Sequence, residues 1–272
     1  RNRHCPKCQA IEQAQWLERR VEDLLPVEYF HVVFTIPKEL HALFLTSPRA
    51  AYDALFASVA ATLTEAAANP ENLGARIGFA CVLHTWTQTL LYHPHLHCVV
   101  AGGGLSAKLD RWVRCRPGFF IHVNKLAELF RGKLLAALGE AIRESSIVTQ
   151  RPTASVHLRR AAARKQWVVY AKPPFAGPEQ VLRYLGRYTH RIAISNQRLV
   201  SMSEGRVSFR FKDRADGGRS KLTTIDALSF LRRFLLHVLP VGFLHPPLRP
   251  PDEEVRAAQK LAPAHRYALA LA

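Results

Sequence analysis

Three histidines alternate along one short apolar segment of the chain. In YHPHLHCVV, His93, His95 and His97 are two residues apart, so on a β-strand their side chains point to one face. Neutral imidazole is a common ligand of divalent metal ions, and two such side chains on one face can hold a single ion. Because short histidine motifs are frequent by chance, this segment predicts a metal site only in combination with other features.

A second segment, VLRYLGRYTHR, carries two tyrosines that are four residues apart. Tyr184 and Tyr188 therefore share one face of a predicted helix, with Arg183, Arg187 and Arg191 beside them. Packing against a core is the commoner role of tyrosines at this spacing. Arginines suit a site that handles phosphate, however, and a tyrosine can act as a nucleophile that forms a covalent intermediate.

Together the two segments predict one site for phosphodiester chemistry. A divalent cation held by His95 and His97 would polarise a scissile phosphate, which Tyr184 or Tyr188 would attack. The expected products are a phosphotyrosine and a free 3′-hydroxyl. A second tyrosine within one helical turn would permit a second cleavage or a strand exchange without hydrolysis of the first intermediate.

Strands and helices in mixed order must position these residues. Predicted strands cover residues 27–36, 78–90, 95–101, 111–116, 119–123 and 166–171, with further strands and turns in 192–213. Predicted helices cover residues 10–25, 38–68, 124–145, 178–189 and 227–239. Asn124 is the expected N-cap of its helix, Gly102-Gly103-Gly104 indicates a turn, and residues 146–165 are expected to be irregular. Hairpin-length links favour an α+β fold with a largely antiparallel sheet.

The charge of the chain points to a polyanionic partner. Thirty-eight Lys and Arg against 21 Asp and Glu give a net charge of +17, and such a field attracts nucleic acid. Basic clusters lie at residues 151–165 and 206–221, where cationic grooves with aromatic platforms would suit single-stranded DNA. The candidate DNA contacts in the first cluster are Arg159, Arg160 and Lys165. The nearby aromatic residues are Trp167, Phe209 and Phe211.

No apolar segment is long enough for a transmembrane helix, and the N-terminus lacks the apolar core of a secretory signal, so no membrane partner is expected. Five cysteines, an odd and sparse number, suit a reducing cytosol. Cys5 and Cys8 form a CxxC motif, which supplies two of the four ligands of a structural zinc site. The other three cysteines lie in predicted strands and are expected in the core.

The order of these motifs resembles the two-tyrosine HUH transposases of rolling-circle insertion sequences. The resemblance rests on YFHVVFTIP, on LHTWTQTLLYHPHLHCVVAGGGLS and on the tyrosine pair, and it covers residues 1–243. It implies a HUH-endonuclease-like fold, in which a central strand of an antiparallel sheet carries the histidine pair beside a helix that carries the tyrosines. It also implies cleavage of single-stranded DNA with Mg²⁺ or Mn²⁺, with His95 and His97 as ligands and Tyr184 and Tyr188 as nucleophiles. The expected location of such a protein is the bacterial cytoplasm, in association with the nucleoid.

HUH enzymes usually have a third metal ligand. His84, Trp86 and Gln88 share one face of the preceding predicted strand, and the candidates are Gln88 and His84. His93, His31 and His190 are further candidates, although histidines in such positions are more often structural than metal ligands.

The resemblance also implies a division of the chain. Residues 1–25 are expected to be the C-terminal remnant of a zinc-binding region plus a helix, with Zn²⁺ at Cys5 and Cys8 if ligands upstream of residue 1 are present. Residues 26–243 are expected to form the nuclease domain, and residues 244–272 a tail that departs from the family pattern.

Two alternatives to an active transposase stay open at this point. The first is a catalytically inactive, truncated remnant that only binds DNA, because both ends of the chain depart from the family pattern. The second is a zinc hydrolase that activates water at the histidines. The second needs a nearby carboxylate as general base, and no Asp or Glu lies between Glu71 and Asp110.

Overall fold

The computed structural model describes residues 25, 27–148, 152–172 and 193–238. Its strands are β1 Tyr29–Thr35, β2 Arg76–Trp86, β3 Tyr92–Leu105, β4 Trp112–Arg114, β5 Val168–Lys172, β6 Leu199–Ser203, β7 Arg206–Asp213 and β8 Arg219–Asp226. Its α-helices are α1 His41–Thr46, α2 Pro48–Ala68, α3 Val123–Arg143, α4 Pro152–Ala163 and α5 Ala227–Leu235. Apart from Leu25, the helices predicted for residues 10–25 and 178–189 lie outside the described residues.

The larger sheet has five strands, and all of its pairings are antiparallel. Its order is β2-β3-β1-β5, and the short β4 pairs with the far end of β3. The strand that carries the alternating histidines, β3, therefore lies between β2 and β1. The predicted α+β fold with a largely antiparallel sheet is confirmed, as is the central position of the histidine strand.

The two faces of this sheet have different roles. Phe30, Val32 and Phe34 of β1 are buried in the main core, which α2 and α3 complete from one side. Successive side chains of a strand point to opposite faces, so His31 and Val33 lie on the other face together with the histidines of β3. One face of the sheet thus stabilises the fold, and the other is left for the site.

The glycine run at residues 102–104 lies inside β3, so the predicted turn there is wrong. A Cβ atom on Gly104 would lie 2.3 Å from the carbonyl oxygen of Arg76, and one on Gly103 would lie 2.6 Å from the Nε1 of Trp112. The neighbouring strands approach too closely for any side chain at these positions. The glycines permit close strand packing and do not reverse the chain.

Three other predictions need correction. Residues 38–68 form a 3-10 turn and two helices that meet at Ser47, because Pro48 begins a new helix at its first position. Residues 119–123 form no strand, and the N-cap of α3 is His122, whose Nδ1 accepts the Asn124 N–H. The region 146–165 is not irregular but contains α4, which buries Ala162 in the core.

A second, smaller antiparallel sheet has the order β6-β7-β8. The turn predicted at Glu204-Gly205 is confirmed, and both residues have positive φ, as the favoured two-residue hairpin turns require. β8 was not predicted, because its exposed, polar residues give no apolar alternation. Asp226 then caps α5 by accepting the Ser229 N–H at 2.8 Å. No helix in the described part of the chain has both the length and the apolar character needed to cross a bilayer.

Candidate metal centre

Three imidazoles from β2 and β3 meet on the open face of the large sheet. The β2–β3 register places His84 directly opposite His95, and His97 follows two residues later on the same face. One nitrogen from each of His84, His95 and His97 lies within 4.8 Å of the others. This arrangement offers three ring nitrogens to a single metal ion.

The hydrogen bonds of His95 determine which of its nitrogens is available. Its Nδ1 lies 2.6 Å from the carbonyl oxygen of His93, and because a carbonyl only accepts, this Nδ1 carries a proton and donates it. The neutral ring therefore keeps the lone pair of its Nε2. A metal-ligating histidine characteristically donates its second ring N–H in this way.

His31 of β1 contacts the third member of the triad. Its Nε2 lies 2.7 Å from the Nδ1 of His97, and the two rings are stacked with centroids 5.0 Å apart. The tautomer in which His97 Nδ1 donates to His31 leaves the Nε2 of His97 as a possible ligand atom. His31 is 4% exposed, so the pair is shielded from solvent.

Burial keeps these histidines neutral. Desolvation is the main cause that lowers the pKa of His31 and His95 to about 4, and it lowers the pKa of His84 and His97 well below the ordinary value. The guanidinium of Arg214, in the turn between β7 and β8, lowers the pKa of several of them further. Neutral imidazoles are the form that binds metal, so the site is in its ligating state at neutral pH.

The metal-free protein should lose stability steeply in mild acid. Seven described histidines have a lowered pKa, namely His31, His41, His84, His93, His95, His97 and His237. Above pH 6.5 they are neutral in both states, but between pH 6.5 and about 4 the unfolded chain binds protons that the folded chain does not. Each such proton lowers the free energy of unfolding by about 1.4 kcal/mol per pH unit. Urea unfolding in a chelating buffer at pH 7, 6 and 5 measures this slope, and equal stability at all three would contradict it.

His31 is expected to orient His97, which gives a second prediction. In His31→Leu the Nδ1 of His97 loses its acceptor, whereas in His31→Gln the amide oxygen can still accept. We expect His31→Leu to weaken Mn²⁺ binding by about 10- to 100-fold, as is typical for loss of such an orienting group, and His31→Gln to weaken it less. Calorimetric titration measures the affinities, and thermal unfolding checks that both variants fold. Equal affinities for the two variants would show that the hydrogen bond has no such role.

The turn between β2 and β3 is fixed by the second sheet and its helix. The guanidinium of Arg198 donates to the carbonyl of Gln88, and Arg233 donates to that of Thr89 at 3.1 Å. The buried His237 donates from Nε2 to the Leu90 carbonyl at 3.1 Å, while its Nδ1 accepts the hydroxyl of Thr85 at 3.1 Å. These contacts hold the turn that leads from His84 into the histidine strand.

The structure separates the two candidates for the third ligand. β2 ends at Trp86 after a register irregularity, so the prediction that Gln88 continues its face is wrong, and Gln88 lies in the turn. His84 joins His95 and His97, and the ligand role of all three stays a prediction. His93 lies on the strand, with its ring centroid 5.3 Å from that of His95. His190 lies outside the described residues.

The predicted DNA contacts of the first basic cluster lie on the helical side of the sheet. Arg159 packs against Gly139 of α3 and is partly buried, Arg160 is exposed on α4, and Lys165 lies 3.6 Å from Glu39. Trp167 and Phe209 are not exposed stacking platforms, because both are buried in hydrophobic clusters. Arg159, Arg160 and Lys165 therefore lie away from the histidine face.

Several predicted residues have no structural description. Tyr184, Tyr188, Arg183, Arg187, Arg191, Cys5 and Cys8 lie outside the described residues. The predicted core positions of Cys81 and Cys98 are confirmed, since both are buried with their sulfurs 3.1 Å apart, and Cys115 is half-buried.

Sequence reasoning missed three residues around the site. Arg214 belonged to a recognised basic run, but nothing in that run indicated that its charge would reach the histidines. Arg198 and His237 fix the β2–β3 turn over separations of 110 and 147 residues, respectively. The amphipathic pattern around His237 indicated a helix, but not a contact with the histidine hairpin.

The fold and the site together define an α+β protein with a neutral histidine triad on the open face of an antiparallel sheet. Family models account for most of the chain: one described as "Putative transposase", the two-tyrosine (Y2) transposase family, matches residues 78–245. A second, described as "Transposase zinc-binding domain" of the IS91 type, matches residues 1–36. The chain belongs to the Y2 transposase family, as its resemblance predicted.

Two relatives carry transposase names. The chain is 51% identical over 250 residues to "Putative transposase y4qJ" of Sinorhizobium fredii, covering 89% of this chain and 63% of that protein. It is 28% identical over 215 residues to the transposase for insertion sequence element IS801 of Pseudomonas savastanoi pv. phaseolicola, covering 75% of this chain and 49% of that protein. The chain thus spans between about half and two thirds of the length of these relatives.

One solved structure is distantly similar. It is the conjugative relaxase TrwC in complex with oriT DNA, in a copper-bound form, with 10% sequence identity and a TM-score of 0.30. The match covers 58% of this chain and 68% of the relaxase chain.

Proposed function

We propose that this chain is the DNA-cleaving part of a rolling-circle transposase, which cuts single-stranded DNA and holds one end as a tyrosine ester. The observation that carries the proposal is the triad of His84 on β2 and His95 and His97 on the central strand β3, all neutral and mostly buried. Membership of the Y2 transposase family supports it. The alternative, an inactive remnant that only binds DNA, differs from the proposed function in one measurable step, the formation of a covalent protein–DNA adduct.

The donor set of the site suits a divalent transition metal. A cation bound by His84, His95 and His97 would act as a Lewis acid that polarises the scissile phosphate. Imidazole nitrogens suit first-row transition metals, and Mn²⁺, the weakest binder of that series, still accepts them more readily than Mg²⁺, which keeps to carboxylate, carbonyl and water oxygens. We therefore expect Mn²⁺ to support cleavage at lower concentration than Mg²⁺.

Tyr184 or Tyr188 is the proposed nucleophile. Its phenolate oxygen attacks the phosphorus, the bond from phosphorus to the 3′-oxygen breaks, and the departing 3′-oxygen takes up a proton. The products are a 5′-phosphotyrosine and a 3′-hydroxyl, so the phosphodiester is exchanged and not hydrolysed. The second tyrosine can repeat the attack on another strand while the first ester persists.

Most of the described tyrosines are unsuitable for this role. The hydroxyls of Tyr52 and Tyr92 bond to each other at 2.8 Å, and burial raises the pKa of Tyr52 to about 12 and that of Tyr92 still further. Tyr29 is buried, and its hydroxyl accepts the Leu25 N–H. Tyr170 is the one exposed tyrosine among the described residues, and it lies on the histidine face of β5.

Positive charge beside the histidines would stabilise the negatively charged phosphate bound there. Arg214 is exposed, and its charge acts on His31, His93, His95 and His97. A guanidinium there can donate hydrogen bonds to non-bridging phosphate oxygens. We propose Arg183, Arg187 and Arg191, near the tyrosines, for the same task.

The N-terminal segment is proposed to bind zinc. Cys5 and Cys8 lie within residues 1–36, which match the zinc-binding domain model. A structural site needs four ligands, and the CxxC motif supplies two of them. Zn²⁺ there would have a structural role and take no part in cleavage.

The experiment that tests the proposed function is a search for the covalent adduct. The protein is incubated with a labelled single strand that carries a hairpin end from a related element, with Mn²⁺, with Mg²⁺ or with a chelator, and run on a denaturing gel. We expect a slow, protease-sensitive labelled species that forms with metal and is absent with the chelator. Strand binding without any adduct in either metal would leave the DNA-binding remnant as the better description.

A further inference from the structure

The small sheet β6-β7-β8 has two faces of different character. On its inner face, Val207, Phe209 and Ile225 pack around Leu90 from the β2–β3 turn. The alternate residues of β7, Arg206, Ser208, Arg210 and Lys212, therefore lie on the opposite face, which we call the outer face. The outer face points away from the histidine hairpin, so it is separate from the site of cleavage.

The ion pairs of this hairpin neutralise only its inner side. Lys221 lies 2.8 Å from Asp213 and 3.0 Å from Asp216, and Arg219 also pairs with Asp216. On the outer face, Arg210 and Lys212 are exposed and have no ion pair among the described residues. Asp213 and Asp216 thus compensate the inner basic residues, and the outer-face acid Asp226 lies opposite Arg206, so Arg210 and Lys212 keep their full charge.

Hydroxyl residues make up most of the rest of the outer face, with Leu222 opposite Arg210 and Asp226 opposite Arg206, and no aromatic residue of β7 or β8 lies on it. The outer hydroxyl residues are Ser201, Ser203, Ser208, Ser220 and Thr224. The aromatic residues of these strands, Phe209 and Phe211, both belong to the inner face. Hydroxyls, guanidinium groups and ammonium groups bind phosphate oxygens, whereas reading or stacking bases requires other side chains.

We propose that the outer face binds the phosphate backbone of DNA that flanks the cleaved strand. This inference rests on the proposed function for its partner, but it concerns a surface that takes no part in the chemistry. Arg210 and Lys212 are two residues apart and about 7 Å from each other along the strand. They contact two phosphates of one strand, without preference for sequence.

The test compares two variants with equal loss of charge. Arg210→Gln/Lys212→Gln removes two charges from the outer face, and Arg219→Gln/Lys221→Gln removes two paired charges from the same hairpin. Fluorescence anisotropy measures binding of each to a single strand and to a duplex, in chelating buffer at several salt concentrations. Because no cleavage occurs in this buffer, the result is independent of whether the adduct forms.

For each lost phosphate contact, single-strand affinity at 0.1 M monovalent salt falls about 5-fold. We therefore expect the outer variant to bind a single strand about 25-fold more weakly, with a salt slope smaller by about 1.4. If the bound segment is duplex, the salt slope for binding of the duplex falls instead, by about 1.8. The inner variant should retain nearly full affinity, and thermal unfolding should show both variants folded.

Two outcomes would overturn the proposal. Equal losses in the two variants would show that only the overall charge of the chain matters. No loss in the outer variant, for either form of DNA, would show that the outer face is simply a solvated surface.

Discussion

Replacing any one of the three clustered histidines should abolish metal-dependent cleavage. We expect His84→Gln, His95→Gln and His97→Gln each to slow adduct formation by about 10³-fold or more. The physical reason is that a metal ion contributes several kcal/mol of charge stabilisation in the transition state, and about 4 kcal/mol corresponds to 10³ in rate. Quantitative denaturing gels over a time course measure the loss.

A second readout separates metal binding from folding. Mn²⁺ should raise the thermal midpoint of the unsubstituted protein, because a ligand that binds only the folded state stabilises it, and it should not raise that of the three variants. The matched control is His157→Gln, since His157 is an exposed histidine on α4, on the helical side of the sheet. A His84 variant that keeps both the Mn²⁺-induced rise in thermal midpoint and the cleavage rate would show that His84 is not a metal ligand.

The local sequence pattern alone predicted the histidine strand and the face that its histidines share. Alternation in YHPHLHCVV indicates a strand with its histidines on one face, and the structure has that strand at the centre of the sheet. The neighbouring strands β1, β2 and β5 were also predicted, with errors of a few residues at their ends, whereas the strand predicted at residues 119–123 is absent and α4 was missed. Periodicity predicts which residues share a face, and these residues also share a face in the folded structure.

What the sequence could not predict depends on register between distant segments. His84 lies opposite His95 because of the particular alignment of β2 with β3, and a shift of one residue would have turned it to the core. His31 contacts His97 across 66 residues, through the β1–β3 alignment. Neither contact follows from the composition of the segments, and only the end of β2 at Trp86 distinguishes His84 from Gln88.

The turn predicted at the glycine run and the failure to predict β8 are errors of another kind. Gly102-Gly103-Gly104 has turn-like composition, but the close approach of Arg76 and Trp112 is a tertiary requirement that leaves no room for a Cβ atom. β8 is exposed and polar, so the signal of an apolar face is missing. Its pairing with β7 is what makes it a strand.

The tyrosine pair carries the second large prediction. The double variant Tyr184→Phe/Tyr188→Phe should form no covalent adduct, because phenylalanine keeps the ring and removes the attacking oxygen. Strand affinity should be nearly unchanged, since the arginines and the basic surfaces remain. Each single variant should still form one adduct, but it should fail to join a second strand, which a two-strand transfer assay on a denaturing gel would detect.

The discriminating control is Tyr170→Phe. Tyr170 is exposed on the histidine face, where Val33 of β1 is the register partner of both Tyr170 and His97. A phenol in that position is the strongest competitor for the nucleophile among the described residues, because Tyr29 and Tyr52 are buried, Tyr92 is half-buried, and all three are hydrogen-bonded. Full adduct formation by Tyr170→Phe, together with none by the double variant, assigns the attack to the YxxxY pair. An adduct that persists in the double variant and disappears in Tyr170→Phe would instead identify Tyr170 of β5 as the nucleophile.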